Sequence, residues 1–219
     1  MYLKLDPELS SKFPGLSARI TNIHGLKITL QNPELETFKK QIFEEAAKKW
    51  NIDELKENPV FRAYRDFFWK VKVDPTKTRP AAEALLRRIL RGNTLPTINS
   101  LVDAYHVASV ATSIPFGAFD LDRMRGEPIM REARAGEEFI GIGMDGPITL
   151  GGGEAVIEDD ERLIAVYPYR DADYSKVTTS TRNLLLMTCG VPGIGEDMLT
   201  NAEAVCTGYI KRFCGGTPA

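Results

Sequence analysis

Apolar residues in the first half of the chain recur every three to four positions, which is the spacing of one helix face. This pattern predicts four helices over about residues 32–50, 58–70, 79–92 and 99–111. Asn32-Pro33 provides a side-chain cap followed by proline at the first helical position, and Gly92 provides a stop signal. A short strand near residues 2–5 is also predicted. A strand pair over residues 18–30, turning at His24-Gly25, completes this half.

Beyond Pro115 the pattern changes to short apolar runs separated by Gly, Asp and Pro, which is typical of strands joined by tight turns. The predicted strands cover residues 128–134, 138–142, 148–150, 155–158, 163–168 and 184–189. A closing helix is predicted over about residues 196–213. The fold class is therefore α+β, with a helical N-terminal half and a mixed or antiparallel, β-rich C-terminal half. We expect one main domain over residues 76–219, with residues 1–75 as an α/β extension packed on it.

The composition limits the classes of partner. The 219 residues include 43% hydrophobic and 26% charged residues, and the 28 basic residues nearly cancel the 30 acidic ones. Proteins held on nucleic acid by bulk charge are clearly basic, so DNA binding is not expected and any RNA contact requires a local patch. No apolar run approaches the roughly 20 residues of a membrane helix, and the N-terminus lacks the apolar core of a signal peptide. A cytoplasmic location is expected.

Cysteine and histidine are too sparse for a disulfide framework or a metal site. The chain has three cysteines and two histidines, with no CxxC and no HExxH pattern. We therefore expect neither a structural metal nor a cofactor.

Three ordered stretches carry a family resemblance. They are residues 97–103 with 115–121 (TINSLVD and PFGAFDL), 127–139 (EPIMREARAGEEF) and 177–186 (VTTSTRNLLL). The first is similar to the pattern INxVVDxTNY…PxHAFDL, the second to a strand that ends in an A-x-x-GE turn, and the third to VTDETTNILLE. Together they resemble the B3/B4 domain of the phenylalanyl-tRNA synthetase β chain. The additional N-terminal helices resemble the stand-alone relatives of that domain, and nothing resembles an aminoacylation site.

The resemblance implies the B3/B4 fold and an editing activity, in which tyrosine wrongly attached to the phenylalanine tRNA is hydrolysed. It implies tRNA with an aminoacylated 3′ end as the partner. Most of the family's pocket positions differ here. The Thr-Asn pair corresponds to Tyr105-His106, the histidine of HAFD to Gly117, the Gly-Gly pair to Asp171-Ala172, and the glutamate that ends NILLE to Met187. A methionine cannot accept a phenol O–H, so selectivity for tyrosine is not expected.

The resemblance and the polar residues around these positions define the candidate site. His106, Asp171 and Asp173 are the catalytic candidates. The substrate-binding candidates are Asn99, Tyr105, Ser109, Gly117, Arg170, Tyr174, Ser175 and Met187. An unperturbed histidine pKa of about 6.5 suits His106 for activating water. Alternatively, His106 caps a helix or hydrogen-bonds a backbone carbonyl, and the 170–173 segment is a solvated turn with a surface ion pair.

Two further segments have competing interpretations. Arg79, Arg87, Arg88 and Arg91 form the best candidate patch for tRNA phosphates, although a solvated helix face has the same pattern. The glycine-rich segment 190–195 superficially resembles a phosphate cradle. It lacks the Lys-Ser/Thr of a P-loop, and Glu196-Asp197 would repel phosphate, so a structural loop is predicted.

Three functions remain open at this point. The first is a tRNA-interacting protein that hydrolyses mischarged aminoacyl-tRNA in trans. The second is a non-catalytic module of the same fold that binds tRNA, RNA or an amino acid. The third is a small-molecule enzyme acting on an amino-acid-like ester or amide. Convergence of His106 and the 170–173 segment on one cavity would favour hydrolysis, and a solvent-directed arrangement would favour binding. A ligase function has no sequence basis here.

Overall fold

A computed structural model describes residues 1–219 and contains six α-helices and eleven β-strands. The helices are α1 (Pro7–Lys12), α2 (Pro33–Lys49), α3 (Pro59–Lys70), α4 (Ala81–Leu90), α5 (Ser100–Thr112) and α6 (Glu196–Cys214). The strands are β1 (Lys4–Leu5), β2 (Ala18–Leu26), β3 (Phe116–Asp120), β4 (Ile129–Glu132), β5 (Glu138–Phe139), β6 (Ile148–Thr149), β7 (Ala155–Glu158), β8 (Leu163–Val166), β9 (Arg170–Asp171), β10 (Asn183–Cys189) and β11 (Gly215–Pro218). The predicted α+β class is confirmed.

The strands form three sheets. The first has the order β11-β2-β10-β3, with every neighbouring pair antiparallel. The second has the order β1-β4-β7-β8-β9, in which β1 and β4 are parallel and the other pairs are antiparallel. The third is the small β5-β6 pair.

The four-stranded sheet is the middle layer of the molecule. From β10, Leu184 and Leu186 pack among α2, α4, α5 and α6. Leu185 and Met187 point the other way, toward α3 and the five-stranded sheet. A strand that is covered on both faces has a continuous run of apolar residues. For this reason polar and apolar residues do not alternate in the LLLM segment of β10.

Helix-boundary signals in the sequence are confirmed by the caps. The Asn32 side chain accepts a hydrogen bond from Leu35 N at 3.1 Å, with Pro33 at the first helical position. Asn58 caps α3 in the same way through Val60 N at 3.0 Å. The side chain of Asn99 accepts from the backbone N–H groups at the start of α5. These signals are local, so the four predicted helices lie within a few residues of their predicted positions.

The predicted strand pair at residues 18–30 is wrong. β2 is one strand that passes through His24 without turning, and residues 18–24 pair in order with Cys189 back to Asn183. Pairing along the whole of β10 outweighs the local turn signal of His24-Gly25. Three short strands, β3, β9 and β11, were also not predicted, and β11 continues the chain after the closing helix.

The proposed boundary at residue 75 stays a prediction. Residues before it supply β1 to the edge of the five-stranded sheet and β2 to the interior of the four-stranded sheet. The N-terminal segment is therefore integrated with both sheets.

The glycine-rich segment 190–195 connects β10 to α6, and tyrosine hydroxyls hold its start. Tyr167 Oη donates to Gly190 O at 2.6 Å, and Tyr64 Oη donates to Cys189 O at 2.6 Å. A Cβ at Gly190 would lie 2.7 Å from Ser17 O. Close packing against the backbone explains this glycine and supports the structural interpretation of the loop.

Candidate functional site

A cavity of about 150 Å³ opens between α4, α5, the start of β3 and the turn that leads into β9. Its lining residues are Ala81, Leu85, Tyr105, His106, Ser109, Phe116, Pro168, Tyr169, Arg170 and Asp171. It thereby brings together five of the residues predicted from the sequence, two of them catalytic candidates.

The α5 wall follows from helix geometry. Tyr105 and His106 lie one turn before Ser109, so all three side chains share one face. The Tyr105 and His106 rings meet edge to face, with centroids 4.9 Å apart. Ser109 Oγ donates to Ile114 O at 2.8 Å, just beyond the C-terminal end of α5. Its hydroxyl proton is therefore already engaged in a hydrogen bond. Ser109 is therefore a wall residue and not a free nucleophile.

The opposite wall is the turn 167–169 and β9. β9 pairs with β8 on one side, and on the other side Ile142 N donates to Asp171 O at 2.9 Å. Arg170 is exposed, and its Nη1 donates to Ile142 O at 3.0 Å. These backbone contacts fix Asp171 at the cavity and turn the Arg170 guanidinium toward the 140–142 segment.

Burial determines the protonation of the cavity's polar groups. It lowers the pKa of His106 to about 4, with a further contribution from the positive charge of Lys39. It also raises the pKa of Asp171 to about 7, against the opposing effect of the Ala118 N–H. Burial and the charge of Asp171 raise the pKa of Tyr105. At neutral pH the cavity thus contains a neutral imidazole, a protonated phenol and a carboxyl group near its midpoint.

The low pKa of His106 corrects the sequence-based premise. A histidine that is unprotonated but has a pKa near 4 is a weak proton acceptor at pH 7. It is, however, well suited to accept a hydrogen bond from water or substrate. Neither its ring nitrogens nor the Tyr105 hydroxyl has a hydrogen-bond partner within the protein, so both are available to a ligand.

The segment after β9 lies outside the cavity lining. Asp173 Oδ1 is 2.7 Å from Lys176 Nζ, in an ion pair whose side chains are both half-exposed. Tyr174 Oη donates to Asp159 Oδ2 at 2.6 Å. Ser175 is completely buried, and its Oγ has no partner. The structure therefore separates Asp173, Tyr174 and Ser175 from His106 and Asp171.

Asn99, Gly117 and Met187 also lie outside the lining. Asn99 Oδ1 caps α5, at 3.1 Å from Leu101 N and 3.0 Å from Val102 N. Gly117 and Met187 are cross-strand partners in β3 and β10, and both are buried. Met187 belongs to the core between the two large sheets.

The four candidate arginines gather around a separate surface groove of about 320 Å³. Lys77 and Asn93 line it as well, and neither was identified from the sequence. Arg87 pairs with the buried carboxylate of Glu83 at 2.6 Å, whereas no carboxylate pairs with Lys77, Arg79, Arg88 or Arg91. The groove therefore has a net positive charge.

Five cavity residues were missed by sequence reasoning, because they are apolar or lie on turns. These are Ala81, Leu85, Phe116, Pro168 and Tyr169. The structure brings no group of three His, Cys, Asp or Glu side chains into metal-binding proximity, and no helix is long and apolar enough to cross a membrane.

Comparison with known proteins decides the family. The profile of the B3/4 domain matches residues 63–208. The chain belongs to the B3/4 domain family. The matched region includes the cavity and the arginine groove, four of the five strands of the five-stranded sheet, and β3 and β10 of the four-stranded sheet.

Curated relatives of this B3/4 protein are phenylalanine–tRNA ligase β subunits. The Psychrobacter arcticus subunit is 29% identical over 175 residues, covering 78% of this chain and 20% of the relative. The Xanthomonas campestris subunit is 32% identical over 115 residues, covering 52% of this chain and 14% of the relative. The chain thus spans about a fifth or less of the curated relatives it matches.

A solved structure shares the fold. An N-terminal fragment of the phenylalanyl-tRNA synthetase β subunit from Pyrococcus horikoshii aligns with 99% of this chain and 49% of that fragment. The TM-score is 0.53 and the sequence identity is 13%. At that identity the likeness establishes the fold alone.

Proposed function

We propose that this protein binds tRNA and hydrolyses the ester of a mischarged aminoacyl-tRNA in trans, within the cavity between α5 and β9. The observation that carries the proposal is the meeting of Tyr105, His106 and Asp171 in one cavity of a B3/4 domain. The relatives bear the name of a tRNA ligase subunit, which supports tRNA as the partner and the cytoplasm as the place of action.

Ester hydrolysis makes modest demands on these side chains. The reaction requires a positioned water and a donor to the developing oxyanion, and the terminal ribose hydroxyl can act as an internal acid or base. Neutral His106 can accept a hydrogen bond from the attacking water. Tyr105, whose raised pKa keeps it protonated, can donate to the oxyanion. Asp171, whose pKa is raised to about 7, supplies a carboxyl group that is ionised in about half of the molecules at neutral pH.

Helix α4 connects the cavity with the basic groove. Ala81 and Leu85 line the cavity, whereas Ala84, Arg88 and Arg91 line the groove. At about 1.5 Å per residue, Arg88 lies only ~5 Å along the axis from Leu85, and Arg91 lies ~9 Å from it. An RNA strand whose phosphates contact the groove would therefore bring its 3′ end to the cavity.

The substrate amino acid is proposed to differ from tyrosine. By the family resemblance, Met187 corresponds to the family's glutamate. It is buried in the core and offers no carboxylate to accept a phenol O–H. Asp171 adds a carboxyl group where the family has glycine. A changed set of polar groups implies a changed selectivity.

A deacylation screen tests the proposal. Purified protein is incubated with a panel of correctly and wrongly charged radiolabelled tRNAs, and the loss of ester is followed. We expect faster ester loss for a subset of the panel, reduced about 100-fold in His106→Ala and Tyr105→Phe variants. Asp145→Asn, at an exposed carboxylate, serves as the matched control.

A non-catalytic binding module of the same fold is the second candidate. The tethered Ser109 hydroxyl and the weakly basic His106 favour it, because neither group is an activated nucleophile or a strong base. Measurable tRNA binding with no acceleration of ester loss across the panel would establish this alternative and reject hydrolysis.

A further inference from the structure

Asp171 is the only carboxylate of the cavity, and no cation of the protein pairs with it. Arg170, the only arginine or lysine of the lining, is exposed and donates to Ile142 O. Lys176 pairs with Asp173 at 2.7 Å, and Lys39 pairs with Asp103 at 3.1 Å. The negative charge of Asp171 is therefore left for an incoming ligand to neutralise.

The groups beside Asp171 are hydrogen-bond acceptors of neutral charge. The Tyr105 hydroxyl and the unprotonated His106 imidazole line the same cavity and make no hydrogen bond within the protein. An ammonium group carries three donors and no acceptor. It would satisfy the carboxylate by charge and the neighbouring Tyr105 oxygen by hydrogen bonding, which leaves the acceptor nitrogen of His106 free for water.

We infer that Asp171 is a binding subsite for the α-ammonium group of the substrate, so that the cavity accepts aminoacyl esters with a free α-amino group and rejects N-acylated ones. This inference rests on the proposed function. N-acylation removes the positive charge and adds a bulky neutral amide, and the cavity measures only about 150 Å³. Formyl-aminoacyl and peptidyl esters are therefore excluded.

This role differs from that of a general base. A base that activates water acts whatever the state of the substrate's amino group, so removing it slows free and N-acylated substrates by the same factor. An ammonium subsite affects only the free form. The ratio between the two forms therefore reports the role of Asp171 separately from the activity itself.

The test uses stable conjugates in which alanine, leucine or phenylalanine is joined by an amide to 3′-amino-3′-deoxyadenosine. Each is prepared with a free and with an N-acetylated α-amino group, and binding is measured by calorimetry. We expect at least one pair to show free-amine binding that is about tenfold to 100-fold tighter than that of its acetylated form. Asp171→Asn should reduce this preference to less than about twofold, whereas Asp145→Asn should retain it.

Equal binding of both members of each pair, retention of the preference in Asp171→Asn, or absence of binding by all three free amines would overturn the inference. Folding of the variants is checked by their thermal unfolding. Because the conjugates contain no ester, the result does not depend on hydrolysis. A protein that fails the deacylation screen can still show the preference, and an active deacylase can lack it.

Discussion

Lys39 of α2 and Asp103 of α5 form an ion pair inside the protein, with Nζ 3.1 Å from Oδ2 and side chains that are 4% and 2% exposed. Lys39 Nζ also donates to Thr97 Oγ1, and Asp103 Oδ1 accepts from Ile98 N. The pair joins α2 to the first turn of α5, one turn before His106. The residues before the matched B3/4 region thus help to hold the wall of the cavity.

Removing one partner of this pair should be costly. Lys39→Met leaves the Asp103 charge unpaired in the interior, and we expect a loss of about 3–5 kcal/mol in the free energy of unfolding. Lys39→Met combined with Asp103→Leu should recover part of that loss, because no charge is then left alone. Urea denaturation at pH 7 measures both. Lys12→Met, which breaks the exposed pair with Glu132, is the control and should cost less than about 1 kcal/mol. A single Lys39 variant as stable as this control would contradict the prediction.

His106 should titrate far below the ordinary range of histidine. Its pKa of about 4 in the folded protein lies below the unfolded value of about 6.5. Between these values the unfolded state binds more protons, so this residue's contribution to stability falls as the pH decreases from 6.5 to 4. The full effect is at most about 3 kcal/mol. The imidazole NMR shifts of His106 should stay unchanged down to about pH 5.

A substitution separates this contribution from other groups. The stability of His106→Gln relative to the unmodified protein should rise as the pH falls from 6.5 to 4, because the variant has no imidazole to protonate on unfolding. A relative stability that does not change over this range would show that His106 has an ordinary pKa.

Asp171 should have the opposite pH dependence. Its pKa is about 7 in the folded protein, against about 3.8 for the ordinary value. Between these values the folded state binds more protons, so the contribution of Asp171 to stability decreases as the pH rises toward 7. Asp171→Asn should therefore be more stable than the unmodified protein at pH 8, by roughly 1–2 kcal/mol after allowance for solvent screening, and by less at pH 5. Denaturant midpoints at the two pH values provide the check.

Gly117 is expected to be required by packing. Its φ is not in the left-handed region, but a Cβ would lie 2.8 Å from Met187 Cε and 3.2 Å from the Phe119 ring. Gly117→Ala should cost about 1–3 kcal/mol through overpacking. Adding Met187→Ala should remove part of that clash, so the two costs should combine to less than their sum. Additive costs in a double-mutant cycle would contradict this.

The sequence could predict those parts of the molecule whose signals are local. Asn32 and Asn58 predict the starts of their helices because each side chain caps a backbone N–H within the next three residues. The single strand at 18–26 could not be predicted, because His24 pairs with Asn183, far along the chain. A local turn signal carries no information about such a partner.

The same limit applies to the site. Helix spacing predicts that Tyr105 and His106 both lie beside Ser109, one turn later. The family resemblance identifies Asp171 as a candidate. That Asp173 is bound to Lys176, while Asp171 has no such partner, depends on how the chain turns after β9. The pKa of His106 is lowered by burial against residues of other elements, and the helical spacing of the sequence does not reveal which residues these are. Sequence therefore supplied the candidates, and the fold was needed to choose between them.

The basic groove should control the salt dependence of tRNA binding. Arg79 and Arg91 line the groove, and neither side chain pairs with a carboxylate of the protein. If each contacts a phosphate, replacing both with glutamine should reduce the slope of log K against log salt by about 1.4 for a single-stranded 3′ end, with little change in stability. Arg134→Gln, an exposed arginine outside the groove, should leave the slope unchanged. Arg87→Gln should instead lower stability, because the buried Glu83 would keep only Arg65 as its partner. Filter binding between 50 and 200 mM salt is the measurement, and an unchanged slope in the double variant would exclude Arg79 and Arg91 as phosphate contacts.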